Sequence, residues 1–208
     1  MNKYLNEFPI ISILRGISID VVQEVVTSLY QHGVRVIEVP LNRPNAVECI
    51  KIMINCLPHD CLIGAGTVYS IEQVKEITNA GAKLIVSPHC DIQLIKYCKE
   101  AGLVVLPGVS SATEAYTAYN AGAKWLKLFP ATTYGIEHLI ALKTVLPKDV
   151  HIVPVGGVNM SNGIKWLSSG ASAIAIGNHL YAENDSLDEV KIKIQHLSKL
   201  SKTISVTL

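Results

Sequence analysis

The sequence contains few charged and few aromatic residues for its length of 208. Asp, Glu, Lys and Arg together account for 17% of the chain and Phe, Trp and Tyr for 6%, and the net charge is +1. So balanced a charge gives no reason to expect nucleic acid or a membrane surface as a partner. No apolar stretch reaches the roughly 18 residues of a membrane-spanning helix, and residues 1–7 are polar, without a signal-peptide core. We therefore expect a cytoplasmic protein.

Metal-binding motifs are also missing. The five cysteines include no C-x-x-C pair, and the seven histidines include no pair separated by one or three residues. Such spacings are typical of metal sites, so we expect no metal, although a site made of carboxylates stays open. The odd number of cysteines favours free, buried thiols in a reducing compartment.

What the sequence does have is hydrophobic residues and regularly spaced glycines. Hydrophobic residues make up 49% of the chain, and the mean hydropathy is +0.32, which favours a parallel sheet covered on both faces. Gly33, Gly81, Gly102, Gly122 and Gly170 each follow an amphipathic stretch and precede an apolar one. Gly81 and Gly102 lie 21 residues apart, and Gly102 and Gly122 lie 20 apart, which is about one strand, loop and helix. Each glycine is predicted to end a helix directly before a strand.

This repeat predicts an α/β protein of the (β/α)8 TIM-barrel type, with residues 1–208 forming a single domain. The alternative is an open, doubly wound sheet, which is disfavoured because no G-x-G-x-x-G follows the first strand and the units have similar lengths. The predicted strands are Ile10–Leu14, Val34–Val39, Cys61–Gly64, Lys83–Ser87, Val104–Pro107, Trp125–Phe129, His151–Val155 and Ala173–Ile176. The predicted helices include Asp20–Gln31, Ile71–Ala80, Asp91–Ala101, Ile136–Val145 and a closing helix at Leu187–Ser201.

Lys127 lies inside residues 125–130, a run that is otherwise typical of a buried strand. A buried ammonium is costly unless it is paired, neutralised or used in function. Burial lowers the pKa of a lysine, and a neutral amine is a nucleophile for carbonyl carbons. The residue therefore suggests Schiff-base chemistry. The alternative is a lysine at a strand end whose stem is buried and whose head reaches water.

Two further charged residues are predicted near strand ends, where a barrel carries its active site. Glu38 lies in the apolar second strand, and if it points inward with Lys127 it is an acid/base group beside the amine. The alternative is a purely structural ion pair of the two. Arg15 follows the first strand, where its guanidinium can bind a carboxylate or phosphate; the alternative is a surface arginine.

Small residues follow the third, seventh and eighth strands. Thr67 closes a Gly-Ala-Gly-Thr loop, in which the backbone can approach a ligand and the threonine offers a hydroxyl. The loops after strands seven and eight of this fold commonly bind phosphate through backbone N–H groups. They contain Gly156, Gly157, Gly177 and Asn178. The alternative is a set of tight turns without a ligand.

Several motifs, in order and spacing, make the whole chain similar to one family. The chain resembles the 2-keto-3-deoxy-6-phosphogluconate and 2-keto-3-deoxy-6-phosphogalactonate aldolases. The matching motifs are Ile13-Leu14-Arg15, Ile37-Glu38-Val39, Gly64-Ala65-Gly66-Thr67-Val68, Val86-Ser87-Pro88, Leu106-Pro107-Gly108, Leu126-Lys127-Leu128-Phe129-Pro130 and Val155-Gly156-Gly157-Val158.

The resemblance implies a class I aldolase that needs neither metal nor cofactor and is a cytoplasmic homotrimer. Its substrate is a phosphorylated keto-deoxy sugar acid, cleaved to pyruvate and glyceraldehyde 3-phosphate. The resemblance implies Lys127 as the Schiff-base lysine and Glu38 as the proton shuttle, with Arg15 and Thr67 at the pyruvate end. It implies a phosphate site made by Gly156, Gly157, Gly177 and Asn178.

Two positions favour the phosphogalactonate branch of the family. The phosphogluconate branch usually has an arginine four residues after the glutamate and a threonine before the Gly-Gly pair. Here these positions are Asn42 and Val155. The two substrates differ at the C4 hydroxyl, with which a threonine can hydrogen-bond and a valine cannot. The alternative is that Val155 only packs in the barrel and both epimers are accepted.

Other classes of phosphate-binding barrel remain as rivals. A phosphosugar isomerase or epimerase generally needs a metal or two opposed acid/base residues, and a non-catalytic barrel would bind the sugar acid without turnover. The sequence leaves open whether His89 or His179 enters the site, and whether galactonate or galactose breakdown supplies the substrate.

Overall fold

The computed structural model describes residues 1–207, with side chains as far as Leu197. The helices are α1 (Asn2–Leu5), α2 (Ile19–Gln31), α3 (Ala46–Cys56), α4 (Ile71–Asn79), α5 (Ile92–Glu100), α6 (Ala112–Asn120), α7 (Ala131–Val145), α8 (Gly163–Ser168) and α9 (Leu187–Thr207). The strands are β1 (Ile10–Ile13), β2 (Val36–Pro40), β3 (Leu62–Gly66), β4 (Leu84–Val86), β5 (Val104–Leu106), β6 (Gly108–Val109), β7 (Trp125–Leu128), β8 (His151–Pro154) and β9 (Ile174–Ile176).

Each of the eight predicted strands is present within two residues at either end, but the fifth prediction needs a correction. The chain after Val104 forms two short strands, β5 and β6, interrupted at Pro107. Proline has no N–H with which to continue a ladder. Its carbonyl still accepts a hydrogen bond of 2.9 Å from the Lys127 N–H. As a result β5 pairs with β4, whereas β6 pairs with β7.

The seventh helix also differs from its prediction. It begins at Ala131 rather than Ile136, and Gly135 interrupts it with non-helical angles of φ 80° and ψ 173°. The second segment corresponds to the predicted helix. The first is a single turn that sequence periodicity does not show, because it is too short to display one.

All strand pairs are parallel, and the fold is a mixed α/β arrangement. The six-stranded sheet has the order β5-β4-β3-β2-β1-β9, and the three-stranded sheet has the order β6-β7-β8. Along the six-stranded sheet, neighbouring strands follow chain order as far as β1, which pairs both with β2 and with the last strand, β9. Beyond Pro107, the two sheets also meet where the Ser172 N–H donates to the Ile152 carbonyl at 2.9 Å.

Alternation along the strands separates two hydrophobic clusters. One set of side chains packs outward against the helices, as Ile37 and Leu126 do. The other set packs inward and is shared by both sheets, so the six-stranded sheet curves around it. Leu5 of α1 packs into this inner cluster. The inner cluster includes Ile11, Val36, Leu62, Leu84, Leu106, Trp125, Val153 and Ala173.

The five glycines of the sequence repeat all have positive φ, between 69° and 106°, which confirms them as helix-ending residues. At Gly81, for example, the glycine N–H donates to the Thr78 carbonyl and the next N–H, of Ala82, donates back to Ile77. This turn sends the chain directly into the following strand. None of the described helices is both long and apolar enough to cross a membrane.

Candidate active site

The carboxyl ends of the strands surround a cavity of about 430 Å³. A parallel α/β fold places its ligands at this end of the strands. All nine residues that the sequence nominated line the cavity, namely Arg15, Glu38, Thr67, Lys127, Val155, Gly156, Gly157, Gly177 and Asn178. His179 lines it too, whereas His89 is not among the lining residues.

Strand alternation turns Lys127 towards the cavity. Trp125, two residues earlier, packs in the inner cluster, while Leu126 and Leu128 pack outward. Lys127 is only 8% exposed, and its Nζ lies 4.8 Å from the centre of the Phe129 ring. Burial lowers the pKa of Lys127, an effect that the Glu38 charge opposes and the Arg15 charge reinforces. The environment therefore favours a neutral, nucleophilic amine.

Glu38 is buried in the same cavity, with 3% of its surface exposed. Within the described part of the chain, its Oε2 has no hydrogen-bond partner. Burial raises its pKa from 4.5 to about 7, and Lys127, Arg15 and the nearby Gly66 N–H moderate this rise. That N–H approaches the carboxylate without the geometry of a full hydrogen bond. A carboxyl with this pKa can both accept and return a proton near neutral pH.

The close approach of Glu38 to the backbone requires a glycine on the neighbouring strand. A Cβ at position 66 would lie 2.0 Å from the Glu38 Oε2, well inside contact distance. Pro40 of β2 pairs with Gly66 of β3, so the register of the two strands fixes this contact. Gly66, which the sequence marked only as part of a small-residue loop, therefore makes room for the carboxylate.

Lys127 and Glu38 share the cavity without forming an ion pair. The ion pairs between described side chains all involve other residues. The interpretation of these two residues as a purely structural ion pair is therefore wrong. Because neither charge is held by the other, the amine and the carboxylate are both available to a ligand.

Arg15 is positioned by a residue from the neighbouring strand's loop. Its Nη1 donates a hydrogen bond of 2.6 Å to the Asn42 Oδ1, and both residues line the cavity. Asn42 was considered in the sequence only for its place in the family pattern, and its contact with Arg15 spans 27 residues. The contact leaves the rest of the guanidinium for an anionic group.

Thr67 has a backbone conformation that is uncommon for a β-branched residue, with φ of 58°. Such strain costs of order 1–3 kcal/mol and is concentrated at functional sites. Here the left-handed turn ends β3 and brings Thr67 to the cavity wall.

The remaining lining is glycine-rich on one side and apolar on the other. Gly156 and Gly157 have φ of 97° and 75°, and within the described chain the Asn178 side chain has no hydrogen-bond partner. Apolar residues that sequence reasoning did not assign to the site complete the wall; they are Ile13, Pro88, Phe129, Val158 and Ala175. Their place on the inward face of the strand ends was the available signal for Ile13, Phe129 and Ala175.

A family model described as "Aldolase: KDPG and KHG aldolase" matches residues 1–195. The chain belongs to this aldolase family. A 2-dehydro-3-deoxy-6-phosphogalactonate aldolase of Escherichia coli (strain K12) is 37% identical over 186 residues, covering 89% of this chain and 91% of that protein. A probable 2-dehydro-3-deoxy-6-phosphogalactonate aldolase of Rhizobium meliloti (strain 1021) is 38% identical over 185 residues, covering 89% of this chain and 87% of that protein.

The chain is also similar to a solved structure. The structure titled "Native KDPGal structure" superposes with a TM-score of 0.91 at 35% identity, covering 96% of this chain and 97% of that one.

The raised pKa of Glu38 predicts how this aldolase's stability changes with pH. A carboxyl whose pKa rises from 4.5 to about 7 binds its proton more tightly when folded. It therefore contributes stability below about pH 4.5 that is lost as the pH rises through 7. Glu38→Gln stays uncharged, so its free energy of unfolding should exceed that of the parent by more at pH 8 than at pH 5. Urea unfolding at both pH values measures this.

Glu137→Gln, which changes an exposed glutamate on α7, is the matched control. It should leave the pH dependence of the parent unchanged. If the difference in free energy of unfolding between Glu38→Gln and the parent is the same at pH 5 and pH 8, the folded-state pKa of Glu38 is not raised.

Proposed function

We propose that the protein is a class I aldolase that cleaves 2-keto-3-deoxy-6-phosphogalactonate to pyruvate and D-glyceraldehyde 3-phosphate. The observation that carries the proposal is the unpaired, buried Lys127 facing one cavity with Glu38, whose pKa is about 7. Nucleophile and acid/base group are what Schiff-base cleavage of a carbon–carbon bond needs. The names of the relatives from Escherichia coli and Rhizobium meliloti support this substrate.

In the first stage, the neutral amine of Lys127 attacks the C2 ketone of the substrate. The resulting carbinolamine takes up a proton on its hydroxyl, loses water and becomes a protonated imine, so the lysine nitrogen is bonded to C2. Burial favours this step, because it lowers the pKa of Lys127. The positive charge of the protonated imine then draws electrons from C3.

In the second stage, Glu38 accepts the proton of the C4 hydroxyl. The C3–C4 bond breaks, its electron pair moves towards the imine to form an enamine, and glyceraldehyde 3-phosphate leaves. Glu38 returns the proton to C3, and water then hydrolyses the imine to release pyruvate and free Lys127. Positioned proton transfer of this kind contributes on the order of 100- to 10,000-fold, most effectively when the pKa is near the working pH.

The rest of the cavity fits the two ends of the substrate. Arg15, held by Asn42, offers its guanidinium to the carboxylate of the pyruvate half. Thr67 also lines the cavity and offers a hydroxyl. The loops that contain Gly156, Gly157, Gly177 and Asn178 receive the phosphate, through backbone N–H groups rather than cationic side chains.

Val155 supports the choice between the two C4 epimers. It is 6% exposed and belongs to the inner cluster while also lining the cavity. A valine there cannot hydrogen-bond the C4 hydroxyl, so the epimer that needs this bond loses roughly 1–3 kcal/mol of binding. We therefore favour the galactonate epimer.

The fold around this site is proposed to be a single closed (β/α)8 barrel that occupies residues 1–208. The inner cluster, shared by both sheets, and the hydrogen bond from Ser172 to Ile152 support closure. The free state of all five cysteines is consistent with the cytoplasm as the compartment.

We also propose that the protein is a homotrimer. Exposed apolar side chains on α6 and α7 support an association surface; they are Tyr116, Ile140 and Val145, at 40%, 41% and 52% exposure. Tyr116 and Val145 are adjacent, since the Tyr116 hydroxyl donates to the Val145 carbonyl at 2.6 Å. Light scattering of the purified protein measures the mass; a monomer would contradict the proposal.

Lys127→Ala should abolish turnover and pyruvate-dependent trapping by borohydride, because the nitrogen that forms the imine is lost. Glu38→Gln should still be trapped with pyruvate but should lose 100-fold or more of the cleavage rate, as an estimate for general base catalysis. Mass spectrometry of the trapped protein and pyruvate release coupled to lactate dehydrogenase measure the two effects. The control is Lys83→Ala, an exposed lysine just before β4. Turnover by Lys127→Ala equal to that of the parent would end the aldolase proposal.

The two C4-epimeric phosphorylated keto-deoxy acids, offered separately, should be cleaved at different rates, with the galactonate epimer preferred. Val155→Thr should move the ratio of kcat/KM values towards the gluconate epimer by about 5- to 150-fold, the equivalent of 1–3 kcal/mol. Pyruvate release, coupled to lactate dehydrogenase, measures kcat/KM for each epimer in the parent and in the variant. If the parent protein prefers the gluconate epimer, the proposed mechanism stands, but the role of Val155 in selecting the galactonate epimer is wrong.

A further inference from the structure

We propose that Thr132 and Asn162 are positioning residues that hold two consecutive peptide groups, so that the N–H groups of Gly157 and Val158 point together into the cavity and bind the phosphate. Neither side chain lines the cavity. The inference rests on the proposed function, and it identifies what gives the phosphate loop its orientation.

The first peptide group joins Gly156 to Gly157. Its carbonyl oxygen accepts two hydrogen bonds of 3.2 Å, one from the Thr132 N–H and one from the Thr132 hydroxyl. Because the peptide is trans, its C=O and N–H point in opposite directions. Thr132 lies outside the cavity and Gly157 lines it, so fixing the carbonyl on Thr132 turns the Gly157 N–H inward.

The second peptide group joins Gly157 to Val158. Its carbonyl oxygen accepts hydrogen bonds from the side-chain amide of Asn162 at 3.0 Å and from that of Asn159 at 3.4 Å. Asn162 is itself fixed, since its Oδ1 accepts from the Asn159 N–H at 2.9 Å. By the same geometry the Val158 N–H points to the cavity, which Val158 lines.

Two successive N–H groups on one side of the chain form a concave anion site. In the described chain, neither the Gly157 nor the Val158 N–H donates to another protein group. A side chain at position 157 is excluded, because a Cβ there would lie 2.3 Å from the Thr132 Oγ1 and because φ is 75°. The lysine and arginine of the cavity wall, Lys127 and Arg15, are both assigned to the keto-acid end. The phosphate end therefore relies on other donors, and these two amides are among them.

Thr132→Val removes the hydroxyl and keeps the shape of the side chain. It should raise KM for the phosphorylated substrate by about 3- to 10-fold, the range expected for one lost hydrogen bond. The apparent Kd for inorganic phosphate, titrated into the protein without turnover, should rise in parallel. The kcat/KM for the unphosphorylated 2-keto-3-deoxygalactonate should not change. Asn162→Ala should behave in the same way.

Two variants separate positioning from a general effect on folding. Thr132→Ser keeps a hydroxyl and should restore the parent KM. Thr133→Val makes the same chemical change at an exposed neighbour whose hydroxyl has no hydrogen bond to the described chain, and it should match the parent.

Three results would overturn the proposal: equal losses on both substrates, a phosphate Kd unchanged in Thr132→Val, or a Thr133→Val variant that is as impaired as Thr132→Val. Failure of the aldolase proposal itself has a different signature. In that case the parent protein is not trapped with pyruvate and borohydride, while the phosphate titration still tests the role of Thr132 independently.

Discussion

The burial of two ionisable groups in one cavity, without a direct ion pair, is the constraint on which the rest of the site depends. Removing charge from water is expensive, so Lys127 is shifted towards the neutral amine and Glu38 towards the neutral acid. A contact ion pair would stabilise both charges and leave neither group available for chemistry. The separation leaves an amine and a carboxyl facing one cavity, at a cost that the surrounding core offsets.

The strands meet this constraint through their alternation and their close packing. Inward positions near the middle of the strands are filled by apolar side chains, whereas at the carboxyl ends the same faces carry Lys127 and Glu38. Small residues make the arrangement sterically possible. Gly66 leaves space for the Glu38 carboxylate, and Gly64 allows β4 to approach, since a Cβ there would lie 1.9 Å from the Leu84 carbonyl. Replacing either glycine would move a strand or the carboxylate.

The two proposed ends of the cavity differ in the groups that they offer to a ligand. The proposed keto-acid end has a full positive charge, the Arg15 guanidinium, which is hydrogen-bonded by the Asn42 side chain. The proposed phosphate end offers peptide dipoles, whose carbonyl oxygens accept hydrogen bonds from Thr132 and Asn162. Keeping further cations out of the cavity has a consequence for catalysis, because each added positive charge would lower the pKa of Lys127 and of Glu38 together. The Lys127 shift favours the nucleophile, but the Glu38 shift would weaken the base.

The sequence by itself determined the order of strands and helices, because glycine spacing and period-two alternation are local properties of the chain. That Lys127 and Glu38 both face the cavity was decided by the structure. Family motifs then nominated the lining residues. Only the tertiary structure decided that Pro107 splits a strand between two sheets, that Lys127 and Glu38 form no ion pair, and that Asn42 holds Arg15. The same is true of the contacts of Thr132 and Asn162 with the glycine loop. These features depend on distances between groups that lie far apart in the chain or on the direction of a peptide plane, and neither leaves a periodic trace in the sequence.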